Sequence, residues 1–204
     1  MRTTVIIIAL LIATVNVFSQ NSDSLNSKKE IKFESASLSS GQGALSSGVF
    51  FEGNFSRGND VINLTLGNND LYAYYLKSFF KNKVYVGPCI EYFFNIPTVS
   101  GIVITNPIKN VSTFSWLGYS AGTPGMDVEL TNWRMLFFYQ SASFNYKRFT
   151  ATGAIMWYEH WQKIVDFKYT QPLTKNINLF TSAGYNFYDG GKALLKLGVT
   201  YTRK

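Results

Sequence analysis

The chain has 204 residues, a formal net charge of +7 and an aromatic content of 17%, in which Phe and Tyr predominate. Its basic residues are scattered along the chain rather than grouped, so the charge does not indicate a nucleic-acid-binding surface. Cys89 is the only cysteine, which excludes a small secreted domain held together by intramolecular disulfides.

The N-terminal segment predicts export. Arg2 precedes an apolar run from Val5 to Ala13, and a short stretch ending in Ser19 follows. This order is typical of a secretory signal peptide cleaved before Gln20, and the apolar run is too short to be a transmembrane helix. We therefore expect a signal peptide at residues 1–19, a polar linker at residues 20–30 and one β-barrel domain at residues 31–204.

From residue 31 onward, strand-like segments alternate with clusters of turn-forming residues. In Ala193–Thr202, for example, Leu195, Leu197, Val199 and Tyr201 alternate with small or polar residues, which is the period-2 pattern of a strand with two unlike faces. The predicted strands are Ile31–Ser39, Gly48–Ser56, Val61–Leu66, Leu71–Phe80, Val84–Phe94, Gly101–Thr105, Val111–Tyr119, Met135–Tyr146, Phe149–Tyr158, Val165–Thr170, Ile177–Tyr188 and Ala193–Thr202.

This pattern predicts an all-β fold, namely an antiparallel up-and-down transmembrane β-barrel of roughly 8–12 strands, 12 by direct count. The range reflects several segments that are shorter than the roughly 9–11 residues a strand needs to cross a bilayer. An even number of strands places both chain ends on the same side of the membrane. The tight corners Lys81–Lys83, Lys147–Arg148 and Pro172–Asn176 fall on that side, and the predicted loops Ser120–Thr131, Tyr158–Gln162 and Asp189–Gly191 fall on the other.

With these features, the chain resembles the small outer-membrane β-barrel proteins of Gram-negative bacteria over residues 31–204. Its export signal, which ends in Val-Phe-Ser-Gln at residue 20, is similar to the Bacteroidetes style. The resemblance implies localisation in the outer membrane, contact with outer-membrane lipid, and recognition by the barrel assembly machinery. That machinery reads a last strand of alternating hydrophobic residues with a terminal aromatic, and Leu195, Leu197, Val199 and Tyr201 match this pattern.

Charges within the clearer strands predict a polar barrel interior. A Lys or Arg that faces lipid at the bilayer midplane costs about 2–4 kcal/mol, so such residues should face the lumen. The predicted lumen-facing charged cluster consists of Lys77, Glu91, Asp166, Lys168 and Lys196. Two interpretations stay open: a polar conduit with some selectivity, or a plugged interior held by ion pairs.

The four tryptophans, Trp116, Trp133, Trp157 and Trp161, lie near predicted outer strand ends and predict an aromatic girdle at the membrane interface. His160 is the only histidine. The outer-membrane lipid A deacylases use a His and a Ser two residues apart, and position 162 is Gln, so that motif is not met. We expect no metal site and no cofactor, because His160 has no second histidine and Cys89 has no neighbour of ligand type.

The sequence thus favours a non-enzymatic outer-membrane β-barrel with a structural, adhesive or small-pore role. The first alternative is a soluble exported barrel of the lipocalin type that binds an apolar ligand, with apolar faces inside and charged faces in water. Alternation alone does not distinguish these two, because a period-2 pattern does not show which face is inside. The second alternative is a lipid-modifying barrel enzyme, which would need a nucleophile beside His160.

Overall fold

The period-2 pattern of the sequence forms 12 β-strands. The computed structural model describes residues 30–42, 47–68, 70–93, 96–120, 135–158, 160–188 and 190–203. The strands are β1 (Ile31–Gln42), β2 (Ser47–Arg57), β3 (Asp60–Leu66), β4 (Asp70–Phe79), β5 (Val84–Phe93), β6 (Ile96–Ile108), β7 (Val111–Ser120), β8 (Met135–Tyr146), β9 (Phe149–Tyr158), β10 (His160–Pro172), β11 (Ile177–Asn186) and β12 (Lys192–Thr202).

The strands form a closed barrel in which each pairs antiparallel with its neighbours in the chain, and β12 returns to pair with β1. The closing ladder runs from Ser35 opposite Thr202 to Gly41 opposite Lys196. Closure satisfies the backbone hydrogen-bonding groups of both terminal strands, so the described sheet has no open edge. The predicted fold class and the direct count of 12 strands are therefore confirmed.

Several tight turns lie at the barrel end where β1 begins and β12 ends, which we call the terminal end. They include the predicted corners at Lys81–Lys83 and Lys147–Arg148. The backbone adopts a positive φ at Asn82 (65°) and Lys147 (53°). Such left-handed residues let a short turn follow the right-handed twist of the strands that it joins.

The outer face of the barrel is mostly apolar. Side chains such as Leu38, Ile90, Val99 and Leu195 point outward and are 58%, 68%, 67% and 64% exposed, respectively. A water-soluble barrel would instead turn its polar faces outward, so the structure excludes the lipocalin-type alternative. An exposed apolar belt of this kind suits a hydrocarbon environment.

Several sequence-based boundaries needed correction. The predicted loop Tyr158–Gln162 was wrong, because β9 extends to Tyr158 and β10 begins at His160, with Trp161 directly opposite Trp157 in the ladder. The polar pair Gln162-Lys163 had hidden the continuing alternation. The short segment Gly101–Thr105 is part of the longer β6. The predicted signal peptide and nearly all of the linker lie outside the described residues, as does the Ser120–Thr131 loop beyond its first residue.

Within the described residues, no helix is long and apolar enough to cross a membrane.

Candidate channel interior

The barrel interior has two unlike walls. The inner faces of β10, β11, β12, β1, β2 and β3, which are consecutive around the barrel, form what we call the polar wall. The inner faces of β4 to β9 form the aromatic wall. The inward side chains of each strand are identified by alternation, because they alternate with the exposed apolar side chains of the same strand.

Two lysines lie near the middle of strands on the polar wall. Lys168 and Lys196 are both directly opposite Ser182 in the ladders that β11 makes with its two neighbours. The Lys168 ammonium nitrogen lies 4.2 Å from the centroid of the Phe180 ring, and that of Lys196 lies 5.0 Å from the centroid of the Phe50 ring. Cation–π contacts therefore position both ammonium groups.

Two acids accompany these lysines. Asp166 lies on the same face of β10 as Lys168, and Glu52 lies at the middle of β2. The Oε1 atom of Glu52 accepts hydrogen bonds from the amide nitrogens of Asn54 at 3.2 Å and Asn63 at 3.0 Å. Lys168 interacts electrostatically with Glu52, Lys196 and Asp166, so the four charges act as one group.

The four charged side chains, Glu52, Asp166, Lys168 and Lys196, are the central cluster. All four are partly exposed, and among the residues that the structure describes no ion pair joins any two of them. Glu52 was not among the charged residues predicted to face the lumen. It alternates with Phe51 and Gly53 in the same way as Asn54, so strand parity could have placed it inside, but the alternation of apolar residues in Gly48–Ser56 is weak.

The aromatic wall is a continuous series of ring contacts across β4, β7 and β8. Trp116 has ring centroids 5.8 Å from Tyr72, 6.1 Å from Phe114 and 5.0 Å from Phe137. Tyr139 extends the series, 6.0 Å from Phe114. Trp116 and Phe137 belong to a buried apolar cluster, and Tyr72, Phe114 and Tyr139 pack against it. The cluster reaches the polar wall at Ile164 on β10 and Leu194 on β12, and its other members are Leu76, Cys89, Ile102, Ala154 and Met156.

Glu91 is the charged residue of the aromatic wall and is only 2% exposed. Its Oε1 atom accepts a hydrogen bond from Nε1 of Trp116 at 2.7 Å, and the Ser100 hydroxyl donates a second. The other oxygen, Oε2, has no hydrogen-bond partner within the described residues. Glu91 lies on the inner face of β5, on the opposite wall from the central cluster.

Lys77 does not face the interior. It pairs with Val86, which is 41% exposed on the outer face, and its ammonium nitrogen lies 6.0 Å from the outward ring of Phe79. Its prediction as a lumen residue was therefore wrong. Lys77 lies close to the terminal end of β4, where a lysine on the lipid face costs only about 0–1 kcal/mol because it can reach the interface.

The predicted girdle is split between the two faces. Trp116 faces inward and is 7% exposed, so its prediction as a girdle residue was wrong. Its indole N–H donates a hydrogen bond to Glu91 inside the barrel. Trp157 and Trp161 lie opposite each other on the outer face, next to the connection between β9 and β10 and away from the terminal end. Trp161 is 61% exposed and contacts Phe138 edge to face. Trp133 lies outside the described residues.

His160 is the first residue of β10, and its side chain is outside the described part of the structure. Within the described residues, no three His, Cys, Asp or Glu side chains form a group that could hold a metal ion.

No protein-family model matches the sequence, and no curated protein matches it. Solved structures do match the fold. The KdgM porin in complex with disordered oligogalacturonate superposes with a TM-score of 0.52 at 9% identity, covering 84% of this chain and 99% of that one. The NanC porin superposes with a TM-score of 0.51 at 11% identity, covering 83% and 100%. At this level of identity the likeness concerns the fold: the chain has the closed antiparallel barrel of outer-membrane porins.

Proposed function

We propose that this protein is a non-enzymatic channel of small bore in the outer membrane that passes small polar solutes. The apolar outer face and the porin fold support insertion in lipid. The two-walled interior supports a conduit that runs along the polar wall. Export would follow cleavage of residues 1–19, and the barrel assembly machinery would recognise the outward residues of β12.

The observation that carries this proposal is the arrangement of the central cluster. In a dry, plugged interior, each charge needs a direct partner, because removing an ion from water costs several kcal/mol. Lys168 and Lys196 lie instead over aromatic rings, and neither forms an ion pair with Asp166 or Glu52. Partly exposed lysines that are close to the acids, with no ion pair to them in the described residues, favour a lumen that contains water at this level.

The balance of the central cluster indicates the kind of solute. Two cations and two anions lie close enough to interact, so the net charge at mid-height is near zero and selection between small anions and cations should be weak. The KdgM structure contains oligogalacturonate, an anionic oligosaccharide. The balanced cluster of this chain instead favours neutral or zwitterionic solutes of small size.

Single-channel recording in planar bilayers tests the proposal directly. Purified refolded protein should produce discrete, ohmic conductance steps with a reversal potential close to zero in a salt gradient. Correctly folded barrels, recognised by heat-modifiable mobility in gels, that give no conductance would show a plug and contradict the proposal. Recovery of the protein in the soluble periplasmic fraction would contradict membrane insertion itself.

A further inference from the structure

The cations of the terminal end are distributed unevenly around the barrel. The connections that join β4 to β5, β6 to β7, β8 to β9 and β10 to β11 carry six exposed cations and no acid. Strands β4 to β11 are consecutive around the barrel, so these connections form one continuous sector. We call the six residues the basic arc: Lys81, Lys83, Lys109, Lys147, Arg148 and Lys175.

The rest of the terminal end has balanced charge. Where β1, β2, β3 and β12 begin or end at this side, the described residues include three acids and three cations, namely Glu30, Glu34, Asp60, Lys32, Arg57 and Arg203. We call them the balanced sector. Cations that are scattered along the sequence are therefore collected by the fold into one sector, where their mutual repulsion favours an anionic partner.

Lysines in or next to the basic arc lie against rings of the outer face. The ammonium nitrogen of Lys147 lies 5.3 Å from the centroid of the Tyr146 ring, which is 55% exposed. Lys77, at the end of β4, lies in the same way near the outward ring of Phe79. These cations are thus at the outer perimeter of the barrel, where lipid would contact it.

Arg148 is held at the same perimeter by a side-chain amide. Its guanidinium donates a hydrogen bond of 2.8 Å to Oε1 of Gln171, which also accepts one of 2.7 Å from the Tyr169 hydroxyl. Tyr169 pairs with the exposed Phe149 of the outer face, and their ring centroids are 5.0 Å apart. Gln171 is neutral, so Arg148 keeps its net positive charge for another partner.

Apolar side chains next to the basic arc indicate its depth in a membrane. Each of the four connections is adjoined by an exposed apolar residue, namely Phe80, Ile108, Phe149 and Leu173. In membrane barrels, aromatic residues gather at the interface, and lysine and arginine extend from apolar surface to the polar headgroups. The basic arc therefore lies at the level of the headgroups.

We propose that the basic arc binds the headgroups of anionic phospholipids in the leaflet that meets the terminal end, and that the balanced sector does not. A phosphodiester accepts charge-assisted hydrogen bonds from ammonium and guanidinium groups, while its acyl chains contact the neighbouring rings. A soluble anionic polymer would match the charge but leave those rings without an apolar partner. The proposal rests on membrane insertion as proposed above, but not on conduction.

Native mass spectrometry from nanodiscs that contain equal amounts of phosphatidylglycerol and phosphatidylcholine tests the proposal. Wild-type protein should retain phosphatidylglycerol in large excess, and K147Q/R148Q should lower that excess by about fivefold, the change expected for about one cation at an anionic surface. The matched control K32Q/R57Q, which removes one lysine and one arginine from the balanced sector, should retain the wild-type excess. Equal retention of both lipids by wild-type protein, or equal losses in the two variants, would overturn the proposal.

Unfolding in vesicles gives a second measurement. The urea midpoint of wild-type protein should rise as phosphatidylglycerol replaces phosphatidylcholine, and the rise should be smaller in K147Q/R148Q than in K32Q/R57Q. Salt at 1 M should remove the rise, because the screening length falls to about 3 Å. A rise that persists in salt, or one that soluble glycerol phosphate reproduces without anionic lipid, would overturn the proposal.

Conductance separates this proposal from the channel function. Barrels that insert and retain phosphatidylglycerol but do not conduct would contradict the channel and support the lipid contact. Barrels that insert and conduct without this lipid preference would contradict the lipid contact alone.

Discussion

The ammonium nitrogen of Lys168 lies 4.2 Å from the centroid of the Phe180 ring, and this cation–π contact positions one of the two cations of the central cluster. Phe180 is itself held in place. It is 6% exposed and lies directly opposite Gly198 on β12, where a Cβ atom would come within 2.5 Å of its ring. The glycine on one strand thus makes room for the ring that positions a charge from another.

Replacing Lys168 should change ion selectivity. In Lys168→Gln the central cluster loses one of its two cations, so the reversal potential in a salt gradient should shift toward cation preference. Asp166→Asn should shift it the opposite way. Both are measured in planar bilayers. Lys77→Gln is the matched control, because Lys77 faces outward; a shift of equal size in that variant would contradict the assigned lumen.

Filling the space at Gly198 should destabilise the barrel. Gly198→Ala places a methyl group 2.5 Å from Phe180 and 2.6 Å from Ser39, and overpacking of this kind costs about 1–3 kcal/mol of the free energy of unfolding. Urea titration in lipid vesicles measures this change. The control is Gly101→Ala, since a methyl group there meets nothing within 4 Å. Equal losses at both positions would argue against the packing of Phe180.

Fluorescence should distinguish the two environments of the tryptophans. In variants that retain a single tryptophan, brominated lipid should quench Trp161, which is 61% exposed on the outer face, and leave Trp116 unquenched because it is 7% exposed inside the barrel. Replacing Trp116 by Phe should also cost about 1–3 kcal/mol of stability, because Glu91 loses a buried hydrogen-bond donor. Quenching of Trp116 by lipid would refute its inward orientation.

The cost of an outward lysine should depend on depth. Leu197→Lys, near the middle of β12, should lower the free energy of unfolding in vesicles by about 2–4 kcal/mol, whereas Phe79→Lys at the terminal end of β4 should lower it by about 0–1 kcal/mol. Both residues point outward, at 56% and 42% exposure. Similar costs at the two positions would show that the outer face does not contact a bilayer of the expected thickness.

The last strand shows how much of the fold could be predicted from sequence. Leu195, Leu197, Val199 and Tyr201 alternate, and all four point outward in the structure. The direct count of 12 strands and the position of the corners at Lys81–Lys83 and Lys147–Arg148 followed from the same local signals, namely period-2 alternation and turn-forming residues. Boundaries were less exact where polar residues interrupt the apolar face, as at Gln162-Lys163 before the clear part of β10.

The sequence did not show which face of a strand lines the lumen. In β4, one face carries Leu71, Tyr75 and Phe79 and the other Tyr72, Tyr74 and Leu76, so both are apolar and local pattern cannot orient Lys77. In β7 both faces carry large apolar side chains, Phe114 and Trp116 inside and Leu117 and Tyr119 outside, so the local pattern does not orient this strand either.

Local signals in the sequence predict an antiparallel barrel of 8–12 strands, 12 by direct count, with both chain ends on one side, because strand period and turn chemistry are local properties. Which residues meet inside the barrel depends on the tertiary structure. Glu52 and Lys168 are far apart in the chain, and they come together because closure of β12 on β1 brings the polar strands into one wall. The sequence of a single strand also does not show how neighbouring strands are aligned or which face points inward. In the folded barrel, Trp116 therefore donates a hydrogen bond to Glu91 inside and does not lie in the aromatic girdle.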